Sequence, residues 1–299
     1  MSFNVSLNSY FNRINVVLTD YLSKLPLKRT PLVQAMEYSV LLGGKRLRPL
    51  LVYATGNMLH VKDVSLDAPA AAIECMHAYS LIHDDLPAID NDVLRRDQAT
   101  CHYKFGEDIA ILAGDALQTL SFSILINSKI PGVVLENRIS MLSELAHASG
   151  VTGMCGGQIL DLISEGQQIS IDNLERIHQH KTGALIRSAV RLGALTAGDI
   201  GVDLIPDLDK FSNAIGLAFQ VKDDILDVTK DNNSLPQRTR PGSRWRKSTY
   251  PELIGLDNSR AKIKDLYNKS LSILEILSKQ KYNTTMLQAL ASFIITRDQ

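Results

Sequence analysis

The chain has 299 residues, 45% of them hydrophobic, and its Lys+Arg 32 balance Asp+Glu 32. That length makes one large domain or two small ones with a real core, and zero net charge supplies no field to draw in nucleic acid or an anionic membrane. Three widely spaced cysteines (Cys75, Cys101 and Cys155) with no Cys-x-x-Cys pair argue against a disulfide framework or a structural zinc site and fit a reducing compartment.

Met1–Asp20 lacks the basic-then-apolar pattern of a signal peptide. No uncharged apolar run reaches the roughly eighteen residues that span a bilayer; Leu145–Leu160 comes closest but is rich in Gly and Ser. A cytoplasmic protein without a membrane span is the expectation.

Along the chain, β-branched alternation is scarce and helical spacing recurs in nearly every segment. Val33, Met36, Val40 and Leu41 give one apolar face, which stops at Gly43-Gly44. Lys45, Arg46, Arg48 and Pro49 follow that break, where freed backbone N–H groups also favour an anion. Ile73, Met76, Tyr79 and Ile82 form a second face. His83–Arg96 then holds Asp84, Asp85, Asp90 and Asp92 ahead of the adjacent Arg95 and Arg96.

Ile111, Leu112, Leu117, Leu120 and Ile124 form a third face, and Gly153–Gly157 reads as close packing between helices. Leu174–Leu192, Leu208–Val228, Arg260–Leu277 and Thr284–Ile295 continue the pattern, with Asp172 and Glu175 in capping-box spacing before the first of them. Pro49, Pro87, Pro131, Pro206 and Pro251 mark helix starts, kinks or stops. Ser234–Lys247 is a basic loop with the chain's only tryptophan, Trp245. The sum is an all-α bundle of about ten helices in a single domain, residues 1–299.

Two stretches carry chemistry. In the first, a carboxylate cluster offers oxygen ligands to a hard cation, and paired arginines offer a fork to phosphate. His77 lies two helical turns before Asp84, and Pro87 lets Asp90 return towards Asp84 and Asp85. The spacing is not that of an EF-hand, which disfavours calcium.

In the second stretch, Gln220 to Asp227, Asp223 and Asp227 lie about 40° apart on a helix and Asp224 lies about 60–100° from either. The apolar flanks turn this face inward, and a cation would relieve the repulsion of like charges three and four apart. His180-Lys181-Thr182-Gly183 adds a cation and a hydroxyl. No Gly-x-Ser-x-Gly elbow and no Walker A pattern occurs, which disfavours triad hydrolysis and nucleotide hydrolysis.

Two Asp-rich motifs, with Gly-Gly-Lys-Arg-x-Arg-Pro upstream and Lys-Thr between them, resemble the trans-isoprenyl diphosphate synthases, in detail their bacterial farnesyl-forming branch. The likeness runs from about Pro31 to Gln299. It implies an all-α isoprenoid-synthase bundle around a central cavity, normally a homodimer, acting as a magnesium-dependent prenyltransferase. Isopentenyl diphosphate would condense head-to-tail with dimethylallyl and then geranyl diphosphate to give farnesyl diphosphate.

The resemblance assigns magnesium to Asp84, Asp85 and Asp90 on one wall and to Asp223, Asp224 and Asp227 on the other. Asp84, Asp85, Lys181 and Asp223 would carry the catalysis. The allylic diphosphate would lie against Arg95, Lys181, Thr182, Gln220 and Lys247, and isopentenyl diphosphate against Lys45, Arg48, His77 and Arg96. Departing diphosphate would take the proton, so no acid–base pair is needed. Tyr79 and Ser80 would set chain length from the pocket floor. Helix geometry puts Ser80 nearer to Asp84's azimuth, so Tyr79 as the floor rests on the resemblance.

The chain departs from the family after Asp227, where Pro236-Gln237 replaces an expected Gly-Lys and Pro241-Gly242 stands near an expected acid. Only Lys247, Ser248, Thr249 and Tyr250 resume the pattern. A geranyl or geranylgeranyl synthase, or a catalytically weakened or non-catalytic member, is the alternative. A terpene cyclase would not need Lys45, Arg48 and His77, and a nucleic-acid element at 238–247 is disfavoured by zero net charge.

Overall fold

The computed structural model describes residues 3–231 and 248–296. Its helices are, in chain order, α1 (Phe3–Ser23), α2 (Pro31–Leu41), α3 (Leu47–Met58), α4 (Asp63–Asp84), α5 (Cys101–Phe105), α6 (Glu107–Asn127) and α7 (Leu135–Ser149). These are followed by α8 (Met154–Ser164), α9 (Ile171–His178), a π turn (Gln179–Gly183), α10 (Ala184–Leu195), α11 (Asp199–Asp231), α12 (Tyr250–Ile254), α13 (Leu256–Lys279) and α14 (Thr285–Thr296). The only strands among the described residues are β1 (Leu94–Arg95) and β2 (Gln98–Ala99), an antiparallel pair. The all-α expectation holds. Fourteen α-helices among the described residues exceed the ten expected partly because α5 and α12 are five-residue turns too short to show periodicity.

α10 and α4 are apolar on nearly every side, and such helices belong in the middle of a bundle. Leu185, Ile186, Ala189, Val190, Leu192 and Ala194 of α10 are all buried, as are Ala70, Ala71, Ala72, Ile73, Cys75 and Met76 of α4. α10 packs on α3, α4, α7 and α11. Its Gly193 lies so close to α3 that a Cβ there would press on the Val52 carbonyl. Fully burying a large apolar side chain contributes about 1.5–3 kcal/mol, so Leu185, Ile186, Val190 and Leu192 of α10 and Ile73 and Met76 of α4 each stabilise the frame on that order.

Pro69 and Pro206 sit inside α4 and α11. Pro87 follows the end of α4, and Pro251 occupies the first turn of α12, where its missing N–H costs nothing. The capping box expected from Asp172 and Glu175 is not formed. Ser170 caps α9, its hydroxyl accepting from the Asn173 N–H at 3.2 Å, because the helix starts two residues earlier than that pattern implies. The Glu175 carboxylate is used elsewhere, by Tyr250 and Lys262.

Among the described residues α6 is the one helix long and apolar enough to cross a membrane by length and composition. It packs on α2, α4, α5 and α7 and carries Asp115 near its middle. A smaller apolar cluster of Leu174, Leu217, Val221, Ile225, Tyr250 and Ile263 lies under the acidic part of α11.

Candidate active site

The first acidic wall is a helix end. α4 stops at Asp84, and the chain turns back so that the Asp90 N–H donates to the Asp84 carbonyl at 3.0 Å. Asp85 and Asp90 are both 3% exposed. Pro87 thus does what its missing N–H predicts, and the positive φ of Asn91 (51°) completes the return.

The chain then makes the β1–β2 hairpin. Arg96 (φ 55°) and Asp97 (φ 59°) are both left-handed, as the two central residues of a tight primed turn must be. Arg95 reaches back to Asp85 as a fork: its Nε donates to Oδ1 at 2.9 Å and to Oδ2 at 3.0 Å, and its Nη2 to Oδ1 at 2.6 Å. Burial pushes the Asp85 carboxyl up to about 6 while Arg95 works against that rise, so the group is ionised at neutral pH.

The π turn joins the two walls. Such turns are rare and gather at functional sites because the extra residue re-aims side chains. Here Lys181 Nζ lies 2.7 Å from Asp161 Oδ2 and 3.7 Å from Asp84 Oδ1. The neighbouring Thr182 hydroxyl donates to Gln220 Oε1 at 2.9 Å, and Gln220 Nε2 donates to Asp223 Oδ2 at 3.1 Å. Gly157 makes room for the turn, since a Cβ there would overlap the Lys181 backbone. The glycine run read as close packing is thus what seats Lys181.

On the second wall, Asp223 and Asp227 share one side of α11. Asp224 serves other partners: its Oδ2 lies 3.2 Å from His178 Nε2 and accepts the Tyr250 N–H at 2.9 Å.

A cluster of cations lies beside the walls. Gly43 (φ 92°) and Gly44 (φ 117°) give the backbone a path closed to other residues, and a Gly44 Cβ would overlap the Arg96 guanidinium. Arg96 donates to the Gly43 carbonyl, and Lys45 Nζ stands 5.9 Å from the Phe219 ring centroid. Burial lowers Arg48 to about 10, with Arg96 lowering it further and Glu74 and Asp223 opposing. His77 is driven well below its ordinary range by burial first and then by Arg48, Arg96, Arg95 and Arg46, so it is neutral. Arg46 itself points inward, in a buried ion pair with Glu74 at 2.7 Å.

Tyr79 is 8% exposed; its hydroxyl lies 3.6 Å from Cys155 Sγ, and its ring meets His83 edge-on at 4.9 Å. The Ser80 hydroxyl donates to the His77 carbonyl at 2.8 Å. Lys247 and the departures at 236–242 lie outside the described residues.

Asp161 and His178 also contribute to the walls. Asp161 is a lone acid in an apolar helix, and His178 lies two residues before the basic run, so neither carries a spacing signal of its own.

Among the described residues no three His, Cys, Asp or Glu side chains form a ready-made cage. Magnesium usually takes one or two carboxylates and fills its remaining positions with water and phosphate oxygens. Two facing sets of hard carboxylate oxygens fit a metal that arrives with diphosphate.

The polyprenyl synthetase family model matches residues 29–285. The chain is 56% identical over 299 residues, 100% of both chains, to farnesyl diphosphate synthase of Escherichia coli. It is 47% identical to farnesyl diphosphate synthase of Buchnera aphidicola subsp. Schizaphis graminum over 297 residues, 99% of each. A crystal structure described as a geranyltransferase from Legionella pneumophila superposes with a TM-score of 0.87 at 31% identity, covering 99% of this chain and 97% of that one. With Lys181 and Thr182 linking two acidic walls beside a cationic cluster, and with these likenesses over its full length, the chain belongs to the polyprenyl synthetase family of prenyltransferases.

Proposed function

We propose that this single synthase domain, residues 1–299, condenses isopentenyl diphosphate with dimethylallyl and geranyl diphosphate to give farnesyl diphosphate. The observation that carries the reading is the link through the π turn, Asp84···Lys181-Thr182–Gln220–Asp223, beside the cluster of Lys45, Arg48, His77 and Arg96. On this reading one diphosphate binds between the walls and a second binds at the cationic cluster. A reaction that joins two diphosphate substrates needs two anion sites.

In this mechanism Arg95, Lys181, Thr182 and Gln220 hold the allylic diphosphate, and Lys247 is proposed to join them. Asp84, Asp85, Asp90, Asp223 and Asp227 would hold magnesium. Magnesium there would neutralise diphosphate charge and make diphosphate a better leaving group. Lys181 and Arg95 stabilise the same charge as the allylic C–O bond breaks.

Neutral His77, Arg48, Arg96 and Lys45 orient isopentenyl diphosphate so that its double bond attacks the allylic carbon. A proton is then lost to the departed diphosphate. Buried apolar side chains around Tyr79 keep water from the cation.

Tyr79, anchored by Cys155 and His83, supports a floor at fifteen carbons. A homodimer is supported by the exposed Ile111, Leu112 and Ile126 of α6 with Val134, Leu135 and Ile139 beside them, since apolar patches of this kind mark interfaces. The free thiols of Cys75, Cys101 and Cys155 suit the cytoplasm.

The test incubates the protein with magnesium, isopentenyl diphosphate and each allylic diphosphate, and identifies the products. Farnesyl diphosphate is expected, and Tyr79→Ala is expected to lengthen it. A geranyl or geranylgeranyl product, or none, favours the alternatives. A normal Michaelis constant together with normal turnover on geranyl diphosphate removes the case that the departures at 236–242 weaken the enzyme.

A further inference from the structure

Asp224 stands beside Asp223 in sequence, yet its contacts lead away from the walls. Oδ2 carries both of its described bonds, one with His178 Nε2 at 3.2 Å from α9 and one from the Tyr250 N–H at 2.9 Å, the first backbone donor of α12. The imidazole of His178 stacks on the Tyr250 ring, centroids 5.9 Å apart and planes 12° from parallel.

The Tyr250 side chain is fully buried, and its hydroxyl donates to Glu175 Oε1 at 2.7 Å. Lys262 of α13 holds the same oxygen at 2.7 Å. Burial works against the charge on Glu175, but Lys262 and Tyr250 outweigh it and hold the carboxyl below its usual range. Leu217, Val221 and Ile225, on the turns around Asp224, pack with Leu174, Tyr250 and Ile263 in a separate apolar cluster.

The geometry points to Asp224 as a positioning residue and not a metal ligand: its carboxylate clamps α11 to α9 and α12 and so fixes the azimuth at which Asp223 and Asp227 face the first wall. A cation on Oδ2 would displace the bonds that hold three elements together. The proposal rests on the reading of Asp223 and Asp227 as the metal-binding face. Helix geometry makes the control sharp. A carboxylate about 5–6 Å from the axis moves about 1 Å when the helix rolls by about 10°, and misplacement of that size costs about a hundredfold in catalysis.

The experiment has two readouts. Magnesium dependence of geranyl diphosphate condensation is measured for wild type, Asp223→Asn, Asp224→Asn and Asp224→Ala, and Tm is measured for each with no metal or substrate present. Asparagine keeps an acceptor for the Tyr250 N–H, so Asp224→Asn should half-saturate with magnesium within about threefold of wild type. Asp223→Asn should raise that concentration by at least about tenfold while leaving the metal-free Tm in place.

Asp224→Ala should lower the metal-free Tm by about 2–5 °C and raise the KM for geranyl diphosphate, both partly rescued in Asp224→Asn. If Asp224→Ala does not fold, His178→Ala carries the same expectation at smaller size. A magnesium requirement in Asp224→Asn as high as in Asp223→Asn overturns the proposal, as does a metal-free Tm untouched by Asp224→Ala and His178→Ala. If Asp223→Asn itself leaves magnesium dependence unchanged, the metal-face reading fails, and the clamp is judged on the metal-free Tm alone.

Discussion

The two acidic walls hold their carboxylates in place by different physics. The first is built where a helix ends, and its acids are pinned by cations brought from elsewhere: Arg95 from the hairpin on Asp85, and Lys181 from the π turn on Asp84 and Asp161. The second lies within the 33-residue helix α11, which spaces Asp223 and Asp227 by its own geometry. Asp223 accepts a neutral donor, Gln220, which Thr182 secures in turn. A helix end gives no regular spacing, so the first wall needs charged partners to define it. A continuous helix defines spacing but not rotation, so the second wall needs contacts that stop α11 from rolling.

The largest effect should come where the walls meet. Gly157→Ala puts a methyl group into the Lys181 backbone and must displace the π turn. Lys181 serves the first wall and Thr182 the second, so both lose alignment together. We expect turnover to fall by about a hundredfold or more, with circular dichroism still showing the helical fold. Near-normal turnover would break the view that the turn couples the walls.

That coupling was only half legible in the sequence. The period of the apolar residues is enough for the all-α frame, because amphipathic and buried helices both recur at 3.6 residues. Both Asp clusters stand out by density, and Pro87 announces the return of Asp90. The π turn does not stand out, since one inserted residue leaves no compositional mark on His180-Lys181-Thr182-Gly183. Asp161 is a single acid whose meaning depends on Lys181 twenty residues later. Asp224 was partly legible: the azimuth separates it from Asp223 and Asp227, but its partners His178 and Tyr250 come from helices whose placement only the fold supplies.

A second comparison separates the walls. Asp161→Asn weakens the charged contact that holds Lys181 while leaving the Gln220–Asp223 bond intact, and Gln220→Ala does the reverse. Charge-assisted hydrogen bonds are about twice as strong as neutral ones. Asp161→Asn should therefore cost roughly tenfold in kcat/KM for geranyl diphosphate and Gln220→Ala only a few-fold. Equal losses would mean that the two walls are held with equal strength.

The smallest effect concerns the cationic cluster, which contains a neutral histidine. His77 is held well below its ordinary range by burial and by Arg48, Arg96, Arg95 and Arg46. As pH falls below about 6.5, the unfolded chain takes up a proton at His77 that the folded chain refuses. The folded state then loses stability, by at most about 1.4 kcal/mol per pH unit, while above that pH the group contributes no slope. His77→Asn removes this term, so Tm measured from about pH 7.5 to 5 should fall less steeply in the variant than in wild type. Parallel curves would show that His77 takes up its proton within the fold. Inorganic pyrophosphate bound at the cluster should narrow the difference, because an anion beside the imidazole raises its pKa back towards the unfolded value. Pyrophosphate that left the difference unchanged would separate His77 from the anion site.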